Sequence, residues 1–192
     1  MYLFARNSGV DLTTYKEPAP EDRSGPPLSQ GFLLTLISMV GGGRCSPATL
    51  DKLAAVDPNA WYHGQLVEAV LDEAARLDAD APMQLGRAVY FMLPSQLRQL
   101  DTPEKFFAGL PALWIQVTRG DSGWFRCEQQ APNTARVDMA QPYNCQFEEG
   151  AVLGFLDGIG CEQPASKHVR CMRRGDPFCT LEVTWSAVEN HS

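Results

Sequence analysis

The stretch HVRCMRRGDPFCTLEVTW, residues 168–185, is strand-like at both ends and carries the turn sequence RRGDP in its middle. With Gly175 at the centre of the turn, Cys171 lies four residues before it and Cys179 four residues after it. In an antiparallel hairpin such positions can face each other, with Cβ atoms about 5 Å apart. The two cysteines can therefore share a metal ion, form a disulfide or remain free thiols.

A tetrahedral zinc site needs two ligands beyond this pair. Cys145 lies just before a glycine-rich helical segment, and His168 stands three residues before Cys171. In an ideal strand that spacing places His168 on the opposite face, so a loop or a bulge must turn it toward the sulfurs.

The residues that together make a chemically complete set for structural zinc are Cys145, His168, Cys171 and Cys179. Cys161 is a competing fourth ligand, while Cys45 and Cys127 look like lone thiols in a loop and a strand. The spacing leaves zinc, free thiols and a disulfide open as alternatives.

The segment before the hairpin changes from helical to strand-like sequence. Residues 1–30, with the proline-rich run EPAPEDRSGPP, predict an irregular N-terminal arm in which MYLF could dock as a short strand. Residues 31–188 predict a single domain. Within it, residues 57–77 read as a helix with Asp57 as its cap and Pro58 in its first turn.

Alternating strands follow over GWFRCEQQ and TARVDMAQP, and then a helix in which Gly150, Gly154 and Gly158 form a stripe that allows close packing. Helices first and an antiparallel sheet later predict an α+β fold. We expect N-terminal helices packed on a C-terminal antiparallel sheet, with an inserted helix and a terminal hairpin.

The composition and net charge of the chain argue against two classes of binding partner. The chain has 192 residues and a net charge of −7. Nucleic acid and anionic membrane surfaces both require a basic face, so neither is expected as a partner. No apolar run approaches the roughly 20 residues that cross a bilayer, and MYLFARNSGV lacks the pattern of a signal peptide. A cytoplasmic protein with reduced cysteines is therefore expected.

No catalytic motif stands out. The chain has three histidines, and its helical carboxylates Glu148, Glu149 and Asp157 read as a solvated face. No pair of carboxylates has a spacing that demands acid–base chemistry, and no dinucleotide-binding fingerprint is present. We therefore predict a protein that is not an enzyme and has no catalytic residues.

The segments PYNCQFEEGAVLGFLDGIG (142–160) and KHVRCMRRGDPFCTLEV (167–183) resemble the C-terminal signature of 4-vinyl reductase-type domains. These are small-molecule-binding sensor domains related in fold to TRAPP transport-complex subunits and to haem NO-binding proteins. In phenol-sensing members the matching positions hold zinc beside the ligand pocket. Cys145, Cys171 and Cys179 match that pattern in type, order and spacing, and His168 falls where a carboxylate ligand is expected.

The helical part is similar, more weakly, to small myxobacterial proteins of this architecture and to the haem NO-binding domain. The haem proteins carry an iron-binding histidine where Trp114 lies here. No Tyr-x-Ser-x-Arg motif for the haem propionates follows. The resemblance thus makes haem or another tetrapyrrole an alternative and not the first expectation.

Together these features predict a cytoplasmic, sensor-like domain that binds a small apolar ligand and contains a closed, structural zinc site. The predicted ligand pocket, between the helices and the sheet, is lined by Phe106, Phe107, Trp114 and Phe155. The resemblance also implies a homodimer or a signalling partner protein. The alternatives are a dimerising protein–protein interaction module without a ligand and a thiol redox sensor that uses Cys171 and Cys179.

Overall fold

The computed structural model describes residues 12–93 and 97–186. Its α-helices are α1 (Gly31–Val40), α2 (Pro47–Ala54), α3 (Gln65–Leu77), α4 (Ala81–Phe91), α5 (Pro103–Val117) and α6 (Cys145–Gly158). Its strands are β1 (Thr14–Tyr15), β2 (Leu28–Gln30), β3 (Trp61–His63), β4 (Thr118–Arg119), β5 (Trp124–Ala131), β6 (Thr134–Ala140), β7 (Glu162–Arg170) and β8 (Cys179–Ser186). Short 3-10 helices span Arg98–Leu100 and Met172–Arg174. This arrangement confirms the predicted α+β class.

The C-terminal half forms an antiparallel sheet with strand order β5-β6-β8-β7. Strands β5 and β6 form a hairpin, α6 follows β6, and β7 pairs with β8 as the terminal hairpin. The inserted helix and the terminal hairpin are therefore where the sequence placed them.

A second antiparallel sheet, of order β1-β3-β2-β4, was not predicted. Strands β1 and β2 both come from the segment expected to be irregular, and both pair with β3. Strands of two or three residues next to prolines have no recognisable sequence pattern, because they are stabilised by pairing with segments far along the chain. The segment MYLF, for which the sequence suggests docking as a short strand, lies outside the described residues.

The structure also corrects the start of the helix predicted over residues 57–77. Helix α3 begins only at Gln65, and Trp61–His63 forms β3 between β1 and β2. Asp57 does not cap the helix; its carboxylate accepts a hydrogen bond from the Asn59 N–H over 2.9 Å. Pairing on both edges of β3 outweighs the local capping signal.

Helix α6 is buried on nearly all sides. A Cβ added at Gly150 or Gly154 would overlap the backbone of α4 at Met83 or Arg87, and a Cβ at Gly86 would overlap the backbone of α6 at Phe147. The predicted close approach along the glycine stripe is confirmed at these positions. Since β7 and β8 also contact α6, this helix joins the helical layer to the C-terminal sheet.

The helices are short compared with a bilayer. The longest α-helix of the described residues, α5, has 15 residues, whereas a membrane span needs about 20. Among residues 12–93 and 97–186, no helix has both the length and the apolar character to cross a membrane.

Candidate functional site

The turn of the terminal hairpin brings Cys171 and Cys179 close together. The 3-10 helix starts directly after Cys171 and ends at Gly175, whose φ of 96° favours glycine. The backbone N–H of Met172 donates a hydrogen bond to Cys179 Sγ over 3.3 Å. Hydrogen bonds from the Cys145 thiol and from this N–H lower the pKa of Cys179 despite its burial.

Strand β7 carries a bulge just before the turn. His168 pairs with Leu181, and Arg170 pairs with the adjacent Thr180, so Val169 is an inserted residue. One extra residue reverses the alternation of faces and lets His168 share a side with the cysteines. The sequence required a loop or a bulge at this point, and the bulge is present.

The third sulfur comes from the first residue of α6. Asn144 caps this helix, and its side chain accepts a hydrogen bond from the Gln146 N–H over 2.9 Å. The cap places Cys145 Sγ 3.6 Å from Cys171 Sγ. One ligand atom from each of four residues lies within 4.8 Å of the others, and these residues, here named the Cys3His cluster, are Cys145, His168, Cys171 and Cys179.

The geometry of the Cys3His cluster fits a tetrahedral metal ion. Sulfurs bonded to one zinc at about 2.3 Å lie about 3.8 Å apart, close to the separation of Cys145 and Cys171. His168 Nδ1 lies 3.3 Å from Glu149 Oε2, while its buried Nε2 has no hydrogen-bond partner among the described residues. A carboxylate that holds one imidazole nitrogen and leaves the other free is the usual support of a metal-binding histidine.

Glu149 is itself held in place. Ser166 Oγ donates a hydrogen bond to Glu149 Oε1 over 2.6 Å. Burial opposes ionisation, but the hydrogen bonds from His168 and Ser166 hold the pKa of Glu149 below its ordinary value. The group behind His168 is therefore a carboxylate that accepts the proton of Nδ1.

The remaining cysteines lie outside the Cys3His cluster. Burial raises the pKa of Cys161 to about 11 and that of Cys127 to about 12, so both are protonated thiols at neutral pH. Cys45 is buried, and burial raises its pKa as well. All six cysteines are free in this structure, which contains no Cys171–Cys179 disulfide.

An apolar cavity of about 130 Å³ lies between the helices, separate from the Cys3His cluster. Its walls come from β2, α1, α3, the end of α4, α5 and the start of α6. Residues along these walls include Phe32, Leu36, Val67, Tyr90, Leu113, Trp114, Val117, Tyr143 and Glu148. For scale, an apolar cavity of about 150 Å³ binds benzene or xenon.

The four residues predicted to line one pocket lie in different environments in the structure. Trp114 lines the cavity, and its Nε1 donates a hydrogen bond to the Ser122 carbonyl over 3.2 Å. Phe106 and Phe155 stack on each other with ring centroids 4.2 Å apart, and Phe107 stacks on Trp185 at 5.5 Å. Three of the four therefore belong mainly to the packed core, although Phe106 and Trp114 also border a second space of about 20 Å³.

Two carboxylates assigned to a solvated face are in fact buried, Glu148 and Glu149. Helix α6 is enclosed by α4 and the sheet, so it has almost no solvated face. Glu148 lies at the boundary of both cavities, and burial raises its pKa to about 8, with a further contribution from Glu68. Sequence periodicity carried no signal for this site, because α6 has apolar or small residues on every side.

Glu68 was also missed. It lies on α3, is buried, and forms an ion pair with Arg173 in the turn of the terminal hairpin. Burial raises the pKa of Glu68, although Arg173 opposes this rise. The pair connects α3, which also contributes Val67 to the cavity wall, to the loop of the Cys3His cluster.

Comparison with known proteins shows likeness in fold only. No protein-family model and no curated protein matches the chain. An H-NOX protein from S. oneidensis in the Fe(II)NO ligation state is 14% identical with a TM-score of 0.66, over 82% of this chain and 99% of that chain. The SO2144 H-NOX domain from Shewanella oneidensis in the Fe(II)CO state is 16% identical with a TM-score of 0.61, over 82% and 98% of the two chains. The Fe(II) unliganded H-NOX protein from K. algicida is 8% identical with a TM-score of 0.59, over 85% and 100%.

These structures are of haem NO-binding (H-NOX) proteins, and the expected relation in fold to that class is confirmed. The resemblance to 4-vinyl reductase-type domains is not shown by any comparison.

The residues around the cavity do not fit haem. Histidine, cysteine, methionine and tyrosine are the usual protein ligands of haem iron. Among the described residues, Tyr90 and Tyr143 are the only ones of these types that line the cavity. Burial raises the pKa of Tyr90 well above its ordinary value and that of Tyr143 to about 12, so both are neutral phenols. His63 Nδ1 accepts a hydrogen bond from the Gln65 N–H, and His168 lies in the Cys3His cluster. A benzene-sized space is also several times too small for a tetrapyrrole.

Proposed function

We propose that this chain is a non-catalytic, cytoplasmic sensor-like domain that binds a small apolar molecule and contains a structural zinc ion. The observation that carries the proposal is the apolar cavity of about 130 Å³, which shares helix α6 with the Cys3His cluster. Glu148 borders the cavity one turn after Cys145, so the same helix carries a cavity residue and a proposed zinc ligand.

The zinc ion in this proposal is bound by the Cys3His cluster and stabilises the contact between α6 and the terminal hairpin. Three thiolates and one imidazole complete a tetrahedral shell and leave no open position for a reactive water. The zinc therefore has no catalytic role. A cytoplasmic location agrees with this chemistry, because the three cysteines must stay reduced to bind metal.

Glu149→Gln is expected to weaken zinc binding by about 10- to 100-fold, because the amide orients His168 less well and makes its imidazole less basic. The measurement is competition with a chromophoric chelator on the full chain. Asp157→Asn is the matched control: Asp157 lies on the same helix but pairs with Arg87 at the surface, so this variant should bind zinc like the wild type. Equal affinities for all three proteins would show that Glu149 does not support a zinc ligand.

The cavity is tested with benzene, whose size it matches. Benzene should bind the wild type, as measured by ligand-observed NMR. Val117→Phe should abolish binding, because Val117 lines the cavity at the end of α5 and the larger ring fills it. Ile115→Phe makes a comparable change at an exposed position of the same helix and should leave binding intact.

If benzene does not bind the wild type, or if it binds Val117→Phe equally well, the sensor proposal fails. The alternative of an interaction module then takes its place, since that alternative expects a filled core. A homodimer or a signalling partner remains a prediction from the sequence, and gel filtration with light scattering tests the dimer.

Haem binding is the second candidate, favoured by the likeness in fold to proteins studied in Fe(II)NO and Fe(II)CO states. The residues around the cavity argue against it. Added haemin should therefore give no sharp Soret band and no equimolar end point in a titration of the purified chain. A stoichiometric complex with a shifted Soret band would establish the haem alternative.

A further inference from the structure

We propose that the ligand is a small organic amine of about the size of benzene, whose nitrogen pairs with the carboxyl group of Glu148. This inference rests on the proposed ligand-binding function and specifies the ligand class for the same cavity.

The side chain of Glu148 is buried at the wall of a mostly apolar cavity. In the part of the chain that the structure describes, no side chain forms an ion pair or hydrogen bond with it; only burial and Glu68 affect its pKa. A buried carboxyl group without a partner is unfavourable, and most buried polar groups are paired. A ligand that carries a hydrogen-bonding cation would supply the missing partner.

The charges nearby select a cation over an anion. Arg173 neutralises Glu68, so Glu148 is a second carboxyl group next to an ion pair that is already complete. Burial leaves the Glu148 carboxyl with a proton at neutral pH. An alkyl amine arrives as its ammonium ion, so the Glu148 proton is released to solvent when the ammonium–carboxylate pair forms. An anionic ligand would find no cationic side chain among the described residues that line the cavity.

The remaining walls suit the same ligand. Phe32, Tyr90, Trp114 and Tyr143 line the cavity. Aromatic faces attract ammonium groups, and their apolar surface accommodates the hydrocarbon part of an amine. A volume of about 130 Å³ limits the ligand to a ring or branched chain of about five or six carbons.

Cyclopentylamine, cyclopentanol and methylcyclopentane have nearly the same shape and differ in the group that would meet Glu148. Calorimetric titration of the wild type should show cyclopentylamine binding about 10- to 100-fold more tightly than cyclopentanol, the range expected for a charge-assisted hydrogen bond. In Glu148→Gln this preference should disappear, because the neutral amide cannot form a salt bridge with the ammonium group. Glu128→Gln, at an exposed position on β5, is the matched control and should keep the preference.

If benzene binds but the amine has no advantage in the wild type, or keeps its full advantage in Glu148→Gln, the amine inference is overturned and the ligand-binding proposal stands. If neither benzene nor any of the cyclopentyl compounds binds, both are overturned. The wild-type comparison alone decides the inference if Glu148→Gln does not fold.

Discussion

Cys179→Ser is expected to remove bound zinc from the purified protein and to lower its stability by about 4 kcal/mol. Serine cannot supply a thiolate, and the Cys3His cluster then has three ligands for a tetrahedral ion. An ion that binds only the folded state stabilises it by about 4 kcal/mol when its free concentration is about 1,000 times its Kd. For a domain of this size the corresponding fall in Tm is roughly 10 °C.

Two other cysteines provide matched controls for this experiment. Cys127→Ser changes a half-buried thiol on β5, outside the cluster, and should retain one equivalent of zinc. Cys161→Ser tests the competing fourth ligand suggested by the sequence, and it should also retain zinc. Elemental analysis and thermal unfolding of the four proteins give the answer. A wild type that is free of metal, and as stable as Cys179→Ser, would refute the zinc site.

Much of the cluster could be anticipated because three of its members, His168, Cys171 and Cys179, lie within one hairpin. Cys171 and Cys179 flank one turn, and the register of a hairpin follows from its turn. His168 can face the sulfurs only if the strand contains an inserted residue or a loop. The spacing predicts such an irregularity but not its position, and the structure shows that the inserted residue is Val169. Cys145 could be predicted as a ligand because it directly precedes the glycine-rich helical segment that leads into the same hairpin.

The cavity could not be anticipated in the same way. An aromatic residue in a helical pattern predicts burial, but it does not predict whether the neighbouring space is filled. Phe106 and Phe155 stack in the core, whereas Trp114 borders unfilled volume. That difference depends on how six separate segments meet, and no local pattern records it.

Two predictions from the sequence are wrong for the same physical reason. Asp57 and Pro58 form a sound local signal for a helix start, but Trp61–His63 gains more by pairing with two strands. Helical carboxylates are usually solvated, which favours a solvated Glu148, but α6 is enclosed on nearly all sides. In both places tertiary contacts with distant segments override the local preference.

The stability of the wild type is expected to fall relative to that of Glu148→Gln as the pH rises from about 4.5 to about 8. A glutamate in the unfolded chain loses its proton near pH 4.5, whereas burial raises the pKa of Glu148 in the folded state to about 8. Below the first value both states hold the proton, and the folded state pays no penalty. Between the two values the folded state binds more protons, so stability falls by about 1.4 kcal/mol for each pH unit. Over this whole pH range the free energy of unfolding of the wild type should fall, relative to that of Glu148→Gln, by an amount on the order of 3–5 kcal/mol.

Urea unfolding at about pH 5 and about pH 8, with constant excess zinc, measures this effect as the difference between the two proteins. The contributions of His168 and of the metal occur in both proteins and cancel in that difference. Burial also raises the pKa of Glu68, so the stability of Glu148→Gln should itself fall somewhat as the pH rises. Glu128→Gln, at an exposed position, should follow the wild type at both pH values. If the free energies of unfolding of the wild type and Glu148→Gln change equally with pH, Glu148 is ionised or solvated in the folded state. Glu148 would then not be an unpaired buried group that a cationic ligand could pair with.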